Sequence, residues 1–302
     1  MHPTPISTRG AGVRLAALDY RTPSGTTDGP TVVVLHGIRD NAWSFHPVAK
    51  ALSARFPTIS LDLRGHGDSE APGAYSFALM VADLSAAQED LGLTQVILVA
   101  HSLGAQISAH YAALFPERMA GLVIAEGLGP LRPASDAATQ QASDRSRTES
   151  LITLPQSQRR LPDLADAVAR LRRNHPRLSL ERAAYLATTG TRPHQNGGLE
   201  WKWDPRIQSI WLTGSSELLA LRWTQIRCPT LVVTAELGGE YWHRRGHYPI
   251  QQADTDNAEI QRRIATFCDA QHSEVRGVGH MIHYEEPVAF ANALVPFLAR
   301  FY

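Results

Sequence analysis

Val96-Ile97-Leu98-Val99-Ala100-His101-Ser102-Leu103-Gly104 is the stretch on which the reading of this chain turns. Its first four residues are apolar and mostly β-branched, which predicts a buried strand. From Leu103 to about Phe115 the pattern is helical. The connection is short, with Ser at its apex and small residues, Ala100 and Gly104, on its flanks. A strand–turn–helix of this kind lifts a hydroxyl above the sheet edge. The helix that follows aims its first amides at whatever the hydroxyl attacks. Ser102 is the candidate nucleophile, although Ala100 stands where the usual pattern has Gly.

Outward from this point, short apolar runs alternate with helical patterns. Strands are expected at Val13–Tyr20, Thr31–Leu35, Thr58–Leu61, Val96–Val99, Leu122–Ala125, Leu231–Ala235 and Ser273–Val275. Helices are expected near Pro47–Phe56, Phe77–Leu91, Leu103–Phe115, Ala258–Ala270 and Pro287–Arg300. The central strands are continuous Val/Ile/Leu, as burial on both faces requires. Alternation of this kind predicts an α/β fold with a mostly parallel sheet and right-handed crossovers. The rhythm breaks between about Gly129 and Trp223. There Leu161, Leu164, Val168 and Leu171 recur at helical spacing, and Ser179 can cap a second helix. The expected division is a core of 1–128 and 224–302 with a helical cap, or lid, of 129–223.

The 302 residues suffice for one such core plus an insertion. Acidic and basic residues balance at 29 each, so no nucleic-acid or membrane-surface partner is expected. Cys228 and Cys268 lack metal-ligand spacing and read as buried free thiols, which fits a cytoplasmic location. Met1 to Gly10 has no apolar run, so no signal peptide is expected. Neither a metal nor a cofactor is implied, and monomer and homodimer stay open.

A Ser hydroxyl needs a base, and the base needs an orienting carboxylate. Gly277-Val278-Gly279-His280-Met281 follows the last expected strand and can carry an imidazole back over the Ser turn. His280 is the candidate base. Val32–Leu35 ends in His36-Gly37-Ile38-Arg39, a loop that can set the Ile38 amide beside that of Leu103. Two converging donors would hold a developing oxyanion, each contributing about 3–4 kcal/mol.

Together Leu35-His36-Gly37, Asp62–Ser69, Ala100–Gly104 and Gly279-His280 resemble the lidded α/β-hydrolases. They cover nearly the whole chain in that family's order. The resemblance implies an eight-stranded, mostly parallel sheet, helices on both faces, and a lid inserted after the sixth strand. It also implies that Arg64–Ser69 is a structural turn. Glu126–Pro130 and Arg172–Leu178 are similar to serine hydrolase-like proteins. Family members with Asp at the nucleophile position, haloalkane dehalogenases and epoxide hydrolases, are disfavoured by Ser102. Most members carry the orienting acid as Asp after the strand that here is Leu231–Ala235, yet Gly238 stands there, with Glu236 and Glu240 as neighbours. Haloalkane dehalogenases and zearalenone lactone hydrolases instead place the acid after the strand next to the nucleophile strand, which here ends in Glu126. Glu126 is the preferred acid, and Glu240 and Glu236 are the alternatives.

Trp43, Trp201, Trp203 and Trp242 are the candidate pocket residues, implying a small apolar or aromatic ester-like substrate. The expected activity is hydrolysis of a carboxylic ester or lactone through an acyl-enzyme. Thioester or carbon–carbon bond hydrolysis, a non-catalytic receptor, and a lyase or cyclase are the alternatives.

Overall fold

In a computed structural model of the chain, residues 2–21, 29–129, 137–154, 157–212, 221–244 and 253–302 are described. The strands among them are β1 (Thr4–Arg9), β2 (Arg14–Asp19), β3 (Thr31–Leu35), β4 (Thr58–Leu61), β5 (Val96–His101), β6 (Met119–Ala125), β7 (Thr191–Pro193), β8 (Leu199–Trp201), β9 (Thr230–Ala235) and β10 (Ala270–Val275). Eight form one sheet in the order β1-β2-β4-β3-β5-β6-β9-β10. Only β1 and β2 run antiparallel to their neighbours. The alternating pattern thus produces the parallel centre expected of it.

Period-2 alternation builds the two faces. Val33, Leu35, Leu98 and Ala100 point to one side, where α2 (Phe77–Asp90) and α3 (Leu103–Leu114) supply Met80, Leu84 and Ile107. Val32, Val34, Ile97 and Val99 point to the other, against α1 (His46–Leu52) and the last long helix, Pro287–Leu298. Each such side chain, fully removed from water, contributes roughly 1.5–3 kcal/mol.

Three sequence expectations are corrected. The edge strand β1, mostly exposed and polar, shows no apolar run and is absent from the sequence reading. The helix expected at Ala258–Ala270 spans Ala253–Ile264, because Ala270 already begins β10. Cys268 is exposed, and only Cys228 is buried.

Between β6 and β9 the described residues hold α4 (Ala137–Ile152), α5 (Leu164–Asn174), α6 (Leu180–Gly190) and the β7–β8 hairpin. Residues 130–136, 155–156 and 213–220 of the expected cap lie outside the described residues. Asp163 caps α5 and Ser179 caps α6 through side-chain oxygens that accept from amides three residues on. Leu161 precedes α5 and bridges to Leu199 instead of extending the helix. The inserted segment is tied to the turn after β4. The Gly67 amide donates to the Lys202 carbonyl at 2.6 Å, and the Asp204 amide to the Gly65 carbonyl at 2.8 Å. That turn is fixed from beneath by the buried pair Arg64–Asp83, bonded at 2.5 and 2.6 Å. No helix among the described residues is long and apolar enough to cross a membrane.

Candidate active site

The parallel strands β3, β5, β6, β9 and β10 end on one side of the sheet, and loops leaving those ends carry the candidate residues. Ser102 leaves β5 at φ 49° and ψ −114°. A non-glycine residue held there stores roughly 1–3 kcal/mol of strain, which the packed strand and helix around it sustain. The close approach explains both neighbouring glycines. A methyl on Gly104 would stand 2.5 Å from the His36 carbonyl oxygen, and one on Gly37 would stand 3.2 Å from Ser102 Cβ. The β3 loop is therefore pressed against the Ser turn, with Ile38 next in line. Leu103 opens α3, where an amide has no intrahelical acceptor.

The structure brings Ser102, His280 and Glu126 into one hydrogen-bonded chain. His280 Nε2 lies 3.1 Å from Ser102 Oγ, and His280 Nδ1 lies 2.9 Å from Glu126 Oε2. With Nδ1–H donating to the carboxylate, Nε2 is left to accept from the Ser hydroxyl. The other oxygen, Glu126 Oε1, accepts from the Ala235 amide at 2.8 Å. Burial pushes the Glu126 carboxyl up to about 7, and the Ala235 hydrogen bond opposes that rise.

Glu236 and Glu240 are engaged elsewhere. Glu236 accepts from the Gly277 amide at 2.7 Å, which fixes the start of the His280 loop. Glu240 pairs with Arg177 at 3.0 Å. Gly238 occupies the position where the resemblance leads one to expect Asp, and its environment gives the reason. A methyl there would stand within 2.8 Å of Glu126 Cδ and Oε1, and closer still to Oε2. The Glu126 carboxylate fills the space that a side chain at 238 would need.

Other histidines brace this arrangement. His36 donates from Nδ1 to the Gly37 carbonyl and accepts at Nε2 from the Leu63 amide, at 2.7 and 3.1 Å. Burial lowers its pKa to about 3, so it stays neutral. His101 Nε2 donates to the His280 carbonyl at 2.8 Å. In a further brace, His283 is the hydrogen-bonding neighbour that its place after His280 suggests, while its partner Asp40 was not read from the sequence. Asp40, in the β3 loop, accepts from His283 Nε2 at 2.9 Å and from the Tyr284 hydroxyl at 2.8 Å. It joins the Ile38-bearing loop to the segment just after His280. An Asp two residues past Ile38, in the loop after β3, is the signal that could have pointed to it.

The pocket expectation is corrected in part. Trp43 packs beside Leu18, Tyr20 and Ala49, and Trp201 packs inside the insertion against Leu161 and Ala187. Trp203 packs on the sheet core, with the Arg39 guanidinium 5.0 Å above its ring. Only Trp242 approaches His280, edge-on with ring centres 5.4 Å apart. Its neighbour Tyr241 stacks on the imidazole at 4.1 Å. The cavity beside His280 measures about 390 Å³, and its wall includes Arg39, Arg173, Arg177, Glu240, Tyr241 and Glu285. The insertion presents its polar α5 terminus there, while Trp201 packs inside the insertion and Trp203 lines a separate cavity of about 210 Å³ beside Gly65 and Asp204.

A family model described as alpha/beta hydrolase fold matches residues 30–287. The chain belongs to this family. The chain is 34% identical over 120 residues to an uncharacterised protein of Mycobacterium tuberculosis, a match covering 37% of this chain and 35% of that one. The match thus spans about a third of that relative's length. The chain is also 33% identical over 133 residues to 2-(acetamidomethylene)succinate hydrolase of Mesorhizobium japonicum, covering 41% of this chain and 48% of the relative. Among solved structures it resembles the thioesterase domain from the curacin biosynthetic pathway, with a TM-score of 0.78 and 23% identity over 98% of this chain and 100% of that one. That likeness bears on the fold alone.

Proposed function

We propose that this hydrolase cleaves a carboxylic ester or lactone through an acyl-enzyme on Ser102. The observation that carries the reading is the continuous chain from Ser102 through His280 to Glu126, at 3.1 and 2.9 Å. His280 Nε2 takes the hydroxyl proton as Ser102 Oγ attacks the carbonyl carbon. The oxyanion forms beside the Ile38 and Leu103 amides. His280 then returns the proton to the departing alkoxide, and a water repeats the sequence on the acyl-enzyme. Glu126 orients the imidazole and stabilises its cationic form while the proton is held. A buried carboxylate suits that task, because low dielectric strengthens its attraction for the imidazolium. The insertion between β6 and β9 acts as the lid that sets which substrates enter.

The test is intact-mass labelling by a fluorophosphonate, alongside turnover of matched 4-nitrophenyl ester, thioester and diketone probes. Labelling of the wild type but not of Ser102→Ala, with the ester turned over fastest, is the expected result. A folded wild type that neither labels nor turns over any probe would refute the reading. Faster thioester or diketone turnover would keep the acyl-enzyme and replace the bond.

A further inference from the structure

We infer that the insertion also sets the base: its Arg177 is a positioning residue for His280, acting through Glu285 and the Gly279 amide. The inference rests on the hydrolase reading above and deepens it by extending the support of the imidazole to the lid. The backbone around His280 is anchored from the sheet. The Gly277 amide donates to Glu236 at 2.7 Å, the Leu237 amide to the Val278 carbonyl at 2.9 Å, and His101 to the His280 carbonyl at 2.8 Å. These anchors come from the ends of β5 and β9. The Gly279 amide, immediately before His280, has a different acceptor, Glu285 Oε2 at 2.8 Å. The same oxygen accepts from Arg177 Nε at 2.8 Å, and Arg177 Nη1 donates to Glu240 Oε2 at 3.0 Å. Arg177 lies between α5 and α6. One residue of the insertion thus ties the peptide before the base to the segment after β9.

Further contacts press the same corner of the insertion onto this segment. Arg177 Nη2 occupies the space that a methyl on Gly279 would need, so the guanidinium lies directly against that backbone. Leu178, Ala183 and Leu186 form a small core with Met281 and Tyr284. Arg182, in α6, donates to the carbonyls of Ser44 and His283 at 2.7 and 3.3 Å. The insertion therefore grips the chain on both sides of the imidazole. A carboxylate that accepts only from an amide can swing about its side-chain torsions. A guanidinium on the same oxygen fixes it, because the charge-assisted bond is stronger and directional. The imidazole needs that precision. Its Nε2 stands 3.1 Å from Ser102 Oγ, with no slack for a longer approach. Misplacing a reacting group by about 1 Å costs roughly a hundredfold in rate.

The experiment measures kcat and KM for 4-nitrophenyl acetate and 4-nitrophenyl octanoate, together with the rate of fluorophosphonate labelling. The proteins are wild type, Arg177→Gln, Arg177→Lys, Glu285→Gln, the Arg177→Gln/Glu285→Gln double variant and, as control, Arg172→Gln on the exposed last turn of α5. Arg177 is partly exposed, and ion pairs of that kind add little stability, so the variants should unfold at wild-type urea concentrations. Arg177→Gln should lower kcat for both esters by about tenfold to a hundredfold, with the labelling rate falling in step and KM for the acetate unchanged. Glu285→Gln repeats the test from the other partner and should act the same way. Arg177→Lys should recover part of the loss, the double variant should cost little more than the worse single one, and Arg172→Gln should match wild type. A lid acting only as a sieve would instead change KM, and more for the octanoate than for the acetate. If Arg177→Gln and Glu285→Gln keep wild-type kcat and labelling rate, or change KM alone, the inference fails and the hydrolase reading stands. If wild type neither labels nor turns over either ester, the hydrolase reading fails and this inference falls with it.

Discussion

Gly238→Ala should disable this site without touching any of its three hydrogen-bonded residues. The added methyl would lie 2.8 Å from Glu126 Cδ and Oε1. Carbon–oxygen contacts settle at about 3.3 Å or more, so the carboxylate must withdraw by at least about 0.5 Å. It has little freedom to do so, since Oε1 is bonded to the Ala235 amide at 2.8 Å and Oε2 to His280 at 2.9 Å. The contact with Oε2, the oxygen that accepts from His280, is tighter still, so withdrawal carries that bond from 2.9 Å past about 3.5 Å, where it ceases to be a hydrogen bond. Loss of the orienting acid in such a site lowers kcat by about 10⁴, equivalent to about 5.5 kcal/mol of barrier. A partial loss of geometry should cost about 10²–10³, with overpacking adding about 1–3 kcal/mol of destabilisation. The assay is kcat for a 4-nitrophenyl ester, with urea unfolding to count the folded fraction. A folded Gly238→Ala protein with wild-type kcat would refute both the packing argument and the role given to Glu126.

Two further outcomes follow from buried charge. Glu126 is raised from 4.5 to about 7 in the folded protein, so the native state binds its proton more tightly than the unfolded chain does. Its ionisation therefore removes stability as pH climbs from 4.5 through about 7, while kcat/KM should rise through the same upper range. A pH–rate profile of the wild type with no inflection between about 6 and 8 would contradict this. Asp62, pushed up to about 7 by burial, acts on stability in the same direction. Asp83→Ala should lower stability by about 3–5 kcal/mol in urea, because it strands the buried Arg64 guanidinium. It also removes the acceptor of the Ala11 amide. A loss below about 1 kcal/mol would show that water or a shifted carbonyl serves Arg64 as well.

What the sequence revealed depended on how local its determinants were. The Ser102 turn is specified by residues adjacent in the chain, so an apolar run, an apex Ser and Gly104 were enough to place it. His280 was legible because a Gly-rich loop after the last strand has few places to go. The position of Glu126 at the end of β6 was readable, but three acidic residues competed for one contact. Only the sheet order, which sets β6 between β5 and β9, brings one of them to the imidazole. The pocket was the least legible part. Which face of the insertion looks inward depends on its docking to the turn after β4, through backbone bonds that carry no side-chain signature. Tryptophans at alternating positions read as one pocket lining, whereas Trp201 and Trp203 pack against separate cores and Trp203 faces a different cavity from the one beside His280. Strand β1 escaped notice because an edge strand with one wet face need not be apolar.

The mutual exclusion of Glu126 and a side chain at 238 bears on how such a site could change its acid during descent. A lineage moving the carboxylate from the end of β9 to the end of β6 needs two substitutions. Either order passes through a handicapped ancestor, with two carboxylates crowded into one space or with none. Like charges so close would force one to hold a proton, and the remaining carboxylate would be lost as pH falls, so the crowded ancestor would work at higher pH and fail at low pH. The direction of travel would then be written in pH tolerance, and the glycine at 238 would be the trace that the exchange went to completion.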